Sequence, residues 1–64
     1  MLANLPVKYI QNAARLRAEH YRELAIRYRC MAAQEFLPDL QRRLRTLALE
    51  YDEMADVVRQ AGGA

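Results

Sequence analysis

The one histidine of the chain, His20, stands between Glu19 and Glu23. A carboxylate–imidazole cluster of this kind can hold iron or zinc if a bundle brings more acids to it. A second helix folded back brings Asp52, Glu53 and Asp56 near the level of His20, and Glu50 and Glu53 are its glutamates. The spacing fails the requirement, however. Di-iron bundles use Glu-x-x-His with further glutamates aimed into the core, whereas this chain has Glu50-x-x-Glu53 and no Glu-x-x-His. A structural or surface histidine is the better reading. A metal-binding bundle using His20, Glu19, Glu23, Glu50 and Glu53 is the weakest alternative, and no metal or other cofactor is expected. Cys30 lies beside Arg29 and one turn from Arg27, which favours a thiolate. With no second cysteine to resolve it, a redox role needs an intermolecular disulfide. A single cysteine fits a reducing compartment. Tyr21, Tyr28 and Tyr51 read as core rings whose hydroxyls reach the edge of a bundle. Met31 and Met54 read as gap-filling core residues. Nothing marks a base or a pocket beside any of these groups, so an enzyme is not expected.

Arg42, Arg43 and Arg45 form the densest basic cluster. Together with Arg27 and Arg29 they can make a face for nucleic acid or an acidic protein. The net charge of +2 is too small to imply a polyanion by itself. Acids stand close by, and the chain carries no DNA-binding motif. Nucleic-acid binding is therefore kept as the alternative reading, and a solvated face as the simpler one.

These groups must be positioned by two helices. Between Pro6 and Pro38 no Gly or Pro interrupts the chain, and helix formers dominate from Ala13 to Gln34. One apolar seam reads Val7, Ile10, Ala14, Arg17, Tyr21, Leu24, Tyr28, Met31, in alternating steps of three and four. Continued past the proline it would use Glu35, Pro38, Arg42 and Arg45. The second seam is instead Leu37, Leu40, Leu44, Leu47, Tyr51, Met54, Val58. It is displaced by two residues, roughly 200° around a helix at 100° per residue. A straight helix would aim the two stripes apart, and a reversal at Phe36-Leu37-Pro38-Asp39 lets them face each other. Pro38 suits a first helical turn, where its missing N–H costs nothing, and Asp39 suits the positive end of the dipole. No Ser, Thr, Asn or Asp precedes Pro38 as a cap.

The expected fold is all-α: an antiparallel two-helix hairpin, with helices over about 6–35 and 38–60, forming a single domain over 1–64. Asn4 and Pro6 can open the first helix; Asn12 offers a later start. Gly62-Gly63 is expected to end the second, leaving 1–5 and 61–64 mobile. Beside the seams run Ala18, Ala25 and Ala32, and Ala48 and Ala55, each row at intervals of seven. Small residues at that spacing let antiparallel helices approach closely. A turn near residue 37 puts Arg22 near the level of Asp52 and Glu53, and Arg15 and Arg17 near Asp56 and Val58. The basic first helix thus lies against the acidic 50–56 stretch.

A lone hairpin of this length buries too little to offset the entropy of ordering it, and no disulfide pair staples it. Ile26 and Leu49 lie off the seams at comparable heights and suggest a second apolar patch. The economical solution is association into a four-helix bundle. The expected interface residues are Tyr21, Leu24, Ile26, Tyr28, Met31, Leu40, Leu44, Leu47, Leu49, Tyr51 and Met54.

From His20 to Ala55 the chain resembles a family of short, uncharacterised helical-hairpin proteins common in alphaproteobacteria. The motif residues are His20-Tyr21-Arg22, Ala25, Met31-Ala32, Pro38, and the run Leu47-Ala48-Leu49-Glu50-Tyr51-Asp52-Glu53-Met54-Ala55. The chain departs from the family in having Leu37 where an Asp usually precedes the proline, and in the nineteen residues before His20. The resemblance implies a hairpin in a bacterial cytoplasm and carries no biochemistry with it. No apolar run approaches membrane-spanning length, and the N-terminus has no signal-peptide core. The resulting expectation is a cytoplasmic, non-enzymatic protein acting through protein contacts, as an adaptor, regulator or accessory subunit. Its partner is itself, as a dimer or tetramer, or another helical protein, and not a membrane.

Overall fold

The computed structural model describes residues 7–63, and at positions 7, 9, 10, 62 and 63 the backbone alone. The expectations for Asn4, Pro6, residues 1–5 and Ala64 fall outside that range, as do the side chains of Val7, Tyr9 and Ile10. Two helices make up the fold: α1, Val7–Gln34, and α2, Pro38–Gly63. They run antiparallel within a Cα envelope of 51 × 16 × 14 Å, the thickness of one helical layer. The early start of α1 is found, and Asn12 lies within the helix, accepting a bond from Arg15 (2.9 Å). The end of α2 differs from expectation. The helix passes Gln60 and continues through the two glycines, none with positive φ.

The reversal occupies Glu35, Phe36 and Leu37. Pro38 opens α2, and Leu37 stands in the cap position, its carbonyl accepting the Gln41 N–H at 2.9 Å. The Glu35 carboxylate accepts the N–H of Leu37 itself at 3.1 Å. The last carbonyls of α1 also need partners. Ala32 O accepts the Glu35 N–H at 3.2 Å and the Gln41 side-chain amide at 3.0 Å. Gln41 therefore clamps the start of α2 to the end of α1.

That clamp sets the register. With Gln41 opposite Ala32, seven-residue steps bring Ala48 level with Ala25 and Ala55 level with Ala18. These alanines, with Leu44, are the buried core among the described residues, and Ala25 and Ala55 are fully enclosed. The two large-residue seams do not meet face to face as the sequence predicted. The line of closest approach runs along the alanine rows, and the seams lie together to one side of it. The reason is steric. Two helices that touch over several turns at short range leave room at the contact line for little more than a methyl group.

Candidate interaction surfaces

The alanine contact line divides the hairpin surface into two flanks, each built from both helices. On the first, Tyr51 stacks on Tyr28 (ring centroids 5.5 Å, planes 6° apart) and meets Tyr21 at 6.0 Å. Three rings from two helices so form one ladder. Around it, by helical phase, lie Leu24, Met31, Leu40, Leu47, Met54 and Val58. These are only partly covered. Met31 is 50% exposed, Leu40 42% and Met54 40%. Apolar side chains of this size, half in water and contiguous over both helices, mark an interaction surface. Glu50 and Glu53 edge it beside Tyr21, Met54 and Val57.

The second flank is polar. Arg29 pairs with Asp52 and Arg22 with Asp56 (3.2 Å), both across the helix–helix groove. Asp56 also lies 3.8 Å from Arg59. The sequence placed Arg22 beside Asp52 and Glu53; its carboxylate is instead one turn further on, and Asp52 serves Arg29. The difference follows from the reach of an arginine, which slants along the groove. These partly exposed pairs contribute about 0–1 kcal/mol each and chiefly favour one register. A shallow groove lined by Arg29, Ala32, Ala33, Arg45 and Leu49 lies on this side.

The predicted interface residues divide between the flanks. Tyr21, Leu24, Tyr28, Met31, Leu40, Leu47, Tyr51 and Met54 belong to the aromatic one, whereas Leu44, also expected there, is buried with the alanines and is not open to a partner. Ile26 and Leu49, both more than half exposed, stand at the outer margins of the polar one. The arginines do not converge as a single face. Arg29 is engaged by Asp52, and Arg42 by Asp39 at 2.7 Å in the first turn of α2. Arg27 and Arg43 lie on the outer sides of their helices by phase, which leaves Arg45 beside Arg29 in the shallow groove. His20 is exposed, its ring 6.2 Å from Tyr21, and Cys30 is exposed. Among the described residues, no group of three or more His, Cys, Asp or Glu is placed to hold a metal. No helix among them is long and apolar enough to cross a membrane.

Sequence reasoning missed Phe36, which stands at the tip of the turn 87% exposed, with Leu37 beside it. Its position in the turn was the available signal, since a three-residue reversal has no interior in which to hide a ring. No family model, curated protein or solved structure matches the chain. The expected likeness to short alphaproteobacterial hairpins gains no support from these comparisons.

Proposed function

We propose that this protein is a non-enzymatic helical hairpin that works by protein contact, its aromatic flank joining a second copy to complete a four-helix bundle. The observation that carries this reading is the division of labour in burial. Among the described residues, those the fold encloses are five alanines and Leu44, while nearly all the large apolar side chains stay partly in water. Alanine methyls supply little transfer free energy, so the hairpin leaves most of its hydrophobic stabilisation unused until the flank is covered. A second copy offers the same stripe at the same length.

The test is solution mass together with helicity, followed across a dilution series. The reading expects a dimer, or a tetramer built from dimers, that loses helicity as it dissociates. A chain that stays monomeric and helical at all concentrations overturns it. A poorly helical monomer that folds only with a different protein overturns the self-pairing while leaving the contact surface in place.

A further inference from the structure

The α1 stripe of the aromatic flank is self-complementary when reversed. On α1 the stripe Arg17, Tyr21, Leu24, Tyr28, Met31, Glu35 advances in steps of four, three, four, three, four. That order of steps is the same read backwards. Laid antiparallel on itself about the level of Ile26, the stripe sets Leu24 on Tyr28, Tyr21 on Met31, and Arg17 on Glu35 of the second copy. On α2 a reversal about Leu47 sets Leu47 on itself and Leu40 on Met54 of the second copy, with Leu44 level with Glu50 and Tyr51 level with Arg43. At the edge of this stripe Arg43 and Glu50 flank Leu47 in one surface groove. The reversal brings Arg43 of each copy within one residue of the level of Glu50 of the other.

The centre of reversal is derived on α1. The Gln41–Ala32 clamp carries it to Leu47 on α2, because Ala25 opposite Ala48 makes Ile26 level with Leu47. A single twofold axis perpendicular to the helices passes at both levels. The other closed arrangement, with the twofold parallel to the helices and tip over tip, lays α1 on α2 of the second copy. It sets Glu23 level with Glu50 and brings Arg27 within a turn of Arg43, which is like charge on like in both places. In the perpendicular arrangement Arg27 lies about equally near Glu23 and Arg27 of the second copy and favours neither.

We propose, resting on the self-association reading above, that two copies pair through the aromatic flank with the tip of one hairpin over the open end of the other. The twofold passes at the level of Ile26 and Leu47, and Arg17–Glu35 and Arg43–Glu50 pairs fix this direction. Surface pairs of this kind select an arrangement more than they strengthen it.

The test uses the full chain carrying Cys30→Ala and Phe36→Cys, with a spin label on the new cysteine at the exposed tip. Solution mass is measured on the same sample. A dimer with labels about 30 Å apart is expected, since the tip stands ten residues from the axis at about 1.5 Å per residue. A dimer with labels within about 15 Å overturns the arrangement but leaves self-association standing, and a monomer overturns both. Charge reversal gives an opposite sign for the two arrangements. Arg43→Glu is expected to weaken the dimer on the order of tenfold, and adding Glu50→Arg to restore it. Tip over tip, the single substitution places Glu beside Arg27 and tightens the dimer, which overturns the proposal.

Discussion

The two flanks of the hairpin share the same helices and the same register, yet they solve different problems. The polar flank closes on itself: Arg22 and Arg29 reach carboxylates on α2, and the interaction ends there. The aromatic flank stacks Tyr21, Tyr51 and Tyr28 into a ladder and then leaves its outer edges in water. One side holds the register of one chain, and the other is an unfinished core. The difference teaches where specificity and affinity separate in so small a protein. Ion pairs across a groove choose a register at little gain in stability. Contiguous apolar side chains carry the gain, and they need a partner to realise it.

Substitutions can break this contrast at its root or sharpen it. The largest effect is expected at the line between the flanks. Ala25→Leu forces a branched side chain into a fully enclosed site and should cost about 3 kcal/mol, read as a fall in thermal midpoint or outright loss of helicity. On the aromatic flank, Leu47→Asp should weaken association by about 2 kcal/mol, seen as a dissociation constant roughly thirty-fold higher by sedimentation. If the dimer survives unchanged, the flank is not the interface. Removing the clamp with Gln41→Ala should cost about 1 kcal/mol in urea unfolding, since the Ala32 carbonyl keeps the Glu35 N–H. On the polar flank, Arg29→Ala should change stability by less than about 1 kcal/mol, and molar salt should reduce that difference further. An equal response to Leu47→Asp and Arg29→Ala would erase the distinction between the two sides.

Much of the architecture is legible in the sequence, for identifiable reasons. Pro38 and the two-residue phase slip between the stripes require a reversal, and the reversal is there. The alanine rows announce close packing by their spacing. The contact line was misplaced because periodicity weighs a stripe by its large residues, whereas the axis of a close helix pair passes through its smallest ones. Leu24 and Leu47 therefore look like the middle of the core and are its shoulder. Gln41 gave no signal, since a lone glutamine is indistinguishable from a surface residue until the end of another helix is brought to it. Arg22 lies near the expected level, but its pairing with Asp56 depends on how a long side chain slants along the groove, which spacing does not encode. The off-seam position of Ile26 and Leu49 was legible too: both are exposed and stand across the hairpin from the tyrosines, as their helical phase requires.

The alanine line also bears on how this chain can vary over time. A fully enclosed methyl leaves almost no permitted neighbour in side-chain space, since nearly every substitution is larger and glycine weakens the helix. The residues around it are half in water and can drift among many apolar types. Descent should therefore be written in the least conspicuous letters. A relative whose leucines and tyrosines have all been exchanged should still carry small residues at the places of Ala18, Ala25, Ala32, Ala48 and Ala55, with a reversal between the third and the fourth. The identity of this hairpin would then be inherited as a pattern of absent side chains.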